Sequence, residues 1–458
     1  MLRRWLVSAL ALCLVPVALS FSSAAGGSVL STGRYIVVLK DPASAPAVAD
    51  RATGLGATVD SLFSSVNTLV VSLPLLRLGA LRHDSRVAYV TPDRPVHVLD
   101  NPATATTAGP PAVPTGVARI GAAPALNADG TVATASGPAR KAAVALLDTG
   151  VMTRPDLNVV GGYDCAPSSG GLLGGLFGNG NDNGGNGDAN GIPADNNGHG
   201  THVAGIVADK GIPGVIGVSP GTPLYAVRVF GANGSGDISS VICGLVWVAQ
   251  NAAALNIKVV NRSLGGEGSD DGHCGTTDQD AFHAAVCKVT AAGVTVVAAA
   301  GNDGGDLAQS TPAAYDEVLA VTAMSDFDGK PGGLASAASC ADGKKEQDDT
   351  AATFSDYAVP GSADAGHTIA APGLCITSTW NNGGTETISG TSMASPHIAG
   401  LVARCIDAGP CAGMSPAQII TKLRSDAAAR PAAEGFLGDT YRPIDGKYYG
   451  NLADDLGY

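Results

Sequence analysis

The chain has 458 residues, 45% hydrophobic, 5% aromatic and 15% charged, with 62 glycines. That is more than one ordinary domain holds and too apolar for overall disorder, and abundant Gly and Ala favour close backbone packing over a core of bulky rings. A formal charge of −13 argues against holding a polyanion by bulk electrostatics, so nucleic acid is not an expected partner. The charge is unevenly placed: residues 1–106 carry nine basic and six acidic side chains, a net of +3, which leaves −16 for the rest.

Residues 1–25 begin Met-Leu-Arg-Arg, run through an apolar stretch from Trp5 to Phe21 and reach Ser22-Ser-Ala-Ala25. A positive start, a short apolar run and small residues at its exit predict a secretion signal cut after Ala24 or Ala25. The competing reading is a membrane anchor. The run is near the lower limit for spanning and contains Pro16, so an exported chain with no membrane contact after cleavage is expected. Cys13 lies in that segment, and the other eight cysteines form an even set without CxxC spacing, which in an oxidising compartment predicts disulfides. Cys405 and Cys411 are close enough to close a small loop; the other pairings stay open.

Residues 34–99 read as a compact unit. Strands are predicted at Arg34–Leu39, Asn67–Leu73 and Arg86–Val90, with helices at Ser44–Leu55 and Leu75–Arg82, an order that suits a small open-faced α/β module. Residues 100–114, rich in Ala, Thr and Pro, lack hydrophobic periodicity and read as a linker.

From 115 to 430 buried-type strands alternate with helices. The strands are Ala142–Leu147, Leu224–Val229, Lys258–Asn261, Val294–Ala299 and Val318–Thr322; the helices are Gly200–Ala208, Ile238–Asn251, Asp278–Ala292, Ser395–Ile406 and Ser415–Ala428. Apolar strands alternating with helices predict a parallel sheet covered on both faces, with the reactive site at the carboxyl ends of the strands. Residues 431–458 are too short for another domain and read as a tail that packs on this unit or is trimmed.

Three motifs lie where that rule points. Asp148 follows the first strand in Asp-Thr-Gly, His199 stands in Asn-Gly-His-Gly-Thr-His202, and Ser392 in Ser-Gly-Thr-Ser-Met-Ala-Ser-Pro. Singly each has a plainer reading: a helix-capping Asp, a metal-binding histidine pair, a tight turn. Together, their order and local sequences resemble the subtilisin-like serine proteases over about residues 113–410. The module at 34–99, with its Tyr-Ile-Val-Val strand and closing Val-Ala-Tyr-Val before Asp93, resembles that family's inhibitory prodomain.

The resemblance implies a secreted serine endopeptidase made as a self-processing zymogen, with protein or peptide substrates and its own prodomain as partners, working as a monomer without organic cofactor. Ser392 would be the nucleophile, His199 its general base and Asp148 the group that orients the imidazole. Asn302, after Ala298-Ala-Ala-Gly301, matches the family's oxyanion donor. Gly234, Ser235 and Gly236 match one substrate-binding segment, and Ser263, Leu264 and Gly265 the other, between which an extended peptide is added as a strand. No carboxylate occurs in the motifs around Gly265 and Ala298–Gly301, so apolar or aromatic side chains are expected before the scissile bond. A catalytically silent scaffold used for binding, and an exopeptidase, are the alternatives.

Some positions depart from the family pattern. Arg154 replaces a common His, and Arg262 precedes Ser263 where an apolar residue is usual; a buried Arg262 is expected to need a carboxylate partner. Asp156 matches a common calcium ligand. Gly170–Gly191, dominated by Gly, Asn and Asp, reads as a surface loop or as a calcium site using Asp182, Asp188 or Asp195.

Overall fold

The computed structural model describes residues 31–99, 113–123, 140–166, 191–211, 215–337, 340 and 346–458. The expected signal, most of the linker, and Asp182 and Asp188 lie outside the described residues.

The N-terminal module has strands β1 (Thr32–Leu39), β2 (Thr58–Phe63), β3 (Thr68–Pro74) and β4 (Val87–Pro92), with helices α1 (Ala45–Gly54) and α2 (Leu78–Arg82). All pairings are antiparallel, in the order β2-β3-β1-β4. The alternation of β1 sets its two faces: Tyr35, Val37 and Leu39 meet the module's own helices, while Ile36 and Val38 face the larger unit. Strand β2 was not anticipated, because Thr-Val-Asp-Ser-Leu-Phe is polar and partly exposed along its length.

A short strand, β5 (Pro95–Val98), leaves the module, and helix α3 (Thr115–Arg119) opens the larger unit. There follow β6 (Ala143–Asp148), β7 (Val159–Asp164), α4 (His199–Ala208), β8 (Leu224–Arg228), β9 (Ser235–Asp237), α5 (Ile238–Asn251), β10 (Ile257–Arg262), β11 (Leu264–Glu267), α6 (Ala281–Ala291) and β12 (Thr295–Ala299). The chain ends with β13 (Ser310–Thr311), β14 (Val318–Ser325), β15 (Thr350–Ala351), β16 (Thr368–Pro372), β17 (Ile376–Thr379), β18 (Thr385–Ile388), α7 (Thr391–Ala408) and α8 (Pro416–Ala428).

The central sheet runs β7-β8-β6-β10-β12-β14-β16 with every neighbour parallel, and β15 adds an antiparallel pairing at the end of β14. This is the expected α/β class, a subtilisin-like parallel sheet preceded by a small α/β sheet. Val144 and Leu146 of β6 pack with α4 and α7, whereas Ala143, Ala145 and Leu147 pack with α5 and α6. Since β6 pairs with β8 on one side and β10 on the other, successive crossovers leave in opposite directions and a crevice opens at its carboxyl end.

Four disulfides join Cys165–Cys243, Cys274–Cys287, Cys340–Cys375 and Cys405–Cys411. The tail at 431–458 packs on the sheet: Asn451 O accepts from Ala370 N, and Ala453 N donates to Ala370 O. Among the described residues no helix is long and apolar enough to cross a membrane.

Candidate active site

Asp148 ends β6 at the crevice, and His199 is the first residue of α4. The Asp148 carboxylate is buried; its Oδ1 accepts from Thr149 N at 2.7 Å and pairs with His199 Nδ1 at 2.8 Å. Gly200 makes this approach possible, because a Cβ there would lie 2.0 Å from Gly150 O. Asp195 organises the same corner. It accepts from Gly198 N and Thr201 N at the start of α4 and from the Thr149 hydroxyl, a helix-capping arrangement. It is therefore engaged by protein donors rather than offered to a cation. His202 is not a second ligand either. Its Nε2 donates to the carbonyls of Ile376 and Glu386, and burial lowers its pKa to about 3, so it is neutral.

Ser392 lies in the first turn of α7, which starts four residues before the expected Ser395 and packs against α4. Its Oγ donates to Ser263 O at 3.0 Å, and Ser263 Oγ donates back to Ser392 O at 2.8 Å. Asn302 follows β12. Its Oδ1 accepts from Thr391 N at 2.9 Å and from Thr391 Oγ1 at 2.8 Å, which orients the amide. The Nδ2 group is buried with no hydrogen-bond partner among the described residues. The loop carrying it wraps around Asp356, which accepts from Asp303 N and Gly305 N. A side chain at Gly301, where φ is +124°, would strike that carboxylate. Burial raises the Asp356 pKa to about 6.

The predicted substrate segments are occupied by the chain itself. Strand β5 is inserted between β9 and β11, antiparallel to both: Val96 pairs with Gly236, His97 with Ser235 and Gly265, and Val98 with Leu264. Gly234 O accepts from Val98 N at 3.0 Å, and Ser263 O accepts from Leu99 N at 3.4 Å. A Cβ on Gly265 would meet Leu99 Cδ1 at 2.9 Å, so the leucine side chain lies against this glycine.

The chain belongs to the subtilase family. The model described as "Subtilase family" matches residues 139–441. Subtilisin E of Bacillus subtilis (strain 168) is 31% identical over 439 residues, covering 94% of this chain and 91% of that protein. M-protease of Shouchella clausii (strain KSM-K16) is 34% identical over 368 residues, 80% of this chain and 75% of that one. Among solved structures, a cold adapted subtilisin-like serine proteinase is similar with a TM-score of 0.51 and 27% identity, covering 75% of this chain and 98% of that one. This subtilase is thus a subtilisin-like serine endopeptidase, which acts on protein substrates.

The calcium ligand expected at Asp156 is held differently here. Arg154 Nε donates to Asp156 Oδ1 at 3.0 Å and Nη2 to Oδ2 at 2.7 Å, while Nη1 reaches Trp380 O at 3.1 Å and Gly384 O at 3.3 Å. A guanidinium already engages both carboxylate oxygens and two carbonyls, so the residues present do not fit a hard cation at this corner. Asp326, Asp328 and Asp348 form a separate acidic cluster, with carboxylate oxygens within 4.8 Å of one another, that could hold a metal ion.

Proposed function

We propose that this subtilase is secreted as a zymogen whose module at 34–99 is an inhibitory prodomain, and that it cleaves itself between Leu99 and Asp100. The observation that carries this reading is the seating of β5 as the middle strand between β9 and β11, with Leu99 N on Ser263 O, the place of the residue before a scissile bond. The four disulfides suit an oxidising compartment.

In the proposed reaction, Ser392 Oγ exchanges the Ser263 carbonyl for the His199 imidazole, gives up its proton to it and bonds to the Leu99 carbonyl carbon. The carbonyl electron pair moves onto oxygen, where Asn302 Nδ2 and the backbone N–H of Ser392 stabilise it. Asp148 holds His199 in the tautomer that can accept a proton and stabilises the imidazolium. The imidazolium returns the proton to the leaving amine, and water releases the acyl group by the reverse sequence. The seating of Leu99 against Gly265 supports an apolar preference before the scissile bond. A structural calcium ion is proposed at Asp326, Asp328 and Asp348, which supply oxygen donors and where Asp326 Oδ2 would be shared with the Arg119 guanidinium 3.0 Å away; a chelator that leaves the melting temperature unmoved would remove it.

The deciding experiment is mass spectrometry of the wild-type chain and Ser392→Ala, expressed in a protease-deficient host. The wild type should yield a mature chain beginning at Asp100, abolished by a serine-directed inhibitor, and the variant only precursor. Normal maturation of the variant would sink the reading.

A further inference from the structure

Arg262, the last residue of β10, has a side chain fully removed from solvent, and its Nε, Nη1 and Nη2 have no hydrogen-bond partner among the described residues. Among the described residues the carboxylate partner expected from the sequence is absent. This sets it apart from the other buried arginines, since Arg119 pairs with Asp326 and Asp349, Arg154 with Asp156, Arg228 with Asp164, and Arg430 with Glu434 and Asp454.

What Arg262 does meet is aromatic. Its guanidinium carbon lies 4.3 Å from the centre of the Phe282 ring, whose neighbour is Tyr315. A ring face attracts the positive charge but accepts none of the in-plane N–H groups. Nearby acidic groups are committed elsewhere. Asp280 accepts from Phe282 N, His283 N and Tyr315 Oη, and Glu317 pairs with His283. Burial without a counter-charge lowers the Arg262 pKa to about 9. A monocation with five donors and no acceptor, closed off from solvent, is the complement of one small monovalent anion.

We infer that Arg262 is the core of an internal halide site that takes a single chloride-sized ion beneath the substrate-binding edge. The ion is a small halide rather than a substrate carboxylate, because Arg262 is fully covered while Leu99 lies against Gly265. Its position gives it a function. Arg262 pairs with Ala298 in the sheet and immediately precedes Ser263, whose carbonyl receives both Leu99 N and Ser392 Oγ. A bound halide locks the end of β10 and so the edge against which substrate lies.

The test uses the full chain carrying Ser392→Ala, so that it does not digest itself, melted in sodium chloride and in sodium gluconate at equal ionic strength. Chloride and bromide should raise the midpoint saturably and gluconate should not; with Arg262→Met added, the chloride and gluconate curves should coincide. Coincident curves in the parent would overturn the proposal, as would a chloride increment that survives Arg262→Met. If the Met variant does not fold, bromide-soaked crystals of the parent decide by anomalous scattering: a peak against the Arg262 guanidinium is expected, and none there is fatal. In active enzyme, a preference for Glu over Gln before the scissile bond that Arg262→Met abolishes would make the anion part of the substrate and also overturn the solvent-halide site.

Discussion

Leu99 N donates to Ser263 O at 3.4 Å, and the same oxygen accepts from Ser392 Oγ at 3.0 Å. One carbonyl therefore ties the end of the N-terminal module to the first turn of α7. Replacing Leu99 by Lys would place a cation against Gly265 and Ser310, neither of which offers a counter-charge. Processing of Leu99→Lys should slow by about 10–100-fold, read as precursor half-life on a gel. Unchanged kinetics would mean that the seat does not select its occupant.

Asn302 carries the second prediction. Its amide is oriented through Oδ1 by Thr391, which leaves Nδ2 aimed at no protein acceptor among the described residues. Asn302→Leu should lower kcat by about 10²–10³ with little change in KM, a magnitude known for this donor in subtilisin itself and carried over here. Loss of stability in place of loss of turnover would make it a turn residue.

Asp93 links the two units. Asp237, the N-cap of helix α5, makes no capping hydrogen bond of its own; instead Asp93 accepts from Ser239 N at 2.9 Å and Ser239 Oγ at 2.6 Å, while Arg94 O accepts from Ile238 N. Arg34 lies between Asp93 and Asp237, a basic group of the module against an acid of the protease. Removing a cap costs about 1–2 kcal/mol, so Asp93→Ala should weaken retention of the cleaved module about 5–30-fold. A shorter lag in peptide-hydrolysis progress curves after processing would report it; an unchanged lag would count against the interface.

Acid should destabilise the fold through two buried histidines. Burial holds His202 down at about 3 and His397 at about 4, whereas both titrate near 6.5 once unfolded. Between those values the unfolded chain binds protons that the native one refuses. Their contribution is therefore complete above about pH 6.5 and is lost as pH falls toward the native values, at about 1.4 kcal/mol per pH unit for each group. His397→Leu should flatten the slope of melting temperature against pH between about pH 4 and 6. A parallel profile would assign the acid sensitivity to other groups.

The sheet was legible because its central strands are apolar on both faces and alternate with helices. Two missed strands lack that signal, since β7 reads Val-Val-Gly-Gly-Tyr-Asp and β2 is polar, whereas β16 is buried throughout but is short and ends in proline. In the site, Asp148, His199, Ser392 and Asn302 stand out through short local motifs. The groups that hold them do not, because Asp195 reaches Thr149 across 46 residues, Asp356 reaches Gly305 across 51 and Thr391 reaches Asn302 across 89. The same blindness to distance explains Arg262: its sequence environment implied a carboxylate, and the fold brought an aromatic ring instead.

Arg154 offers the last test. Its guanidinium bridges Asp156 and the carbonyls of Trp380 and Gly384, fastening the β17–β18 hairpin to the start of β7. Arg154→Ala leaves a buried carboxylate without its cation, which should cost about 3–5 kcal/mol. Removing the carboxylate as well, in Arg154→Ala with Asp156→Ala, should recover part of that loss, because most of it arises from the orphaned charge rather than from the bridge. Urea melts of the two single variants and the double in the Ser392→Ala background close the cycle. Additive losses would show that the two side chains act independently, and would return Asp156 to candidacy as an oxygen ligand.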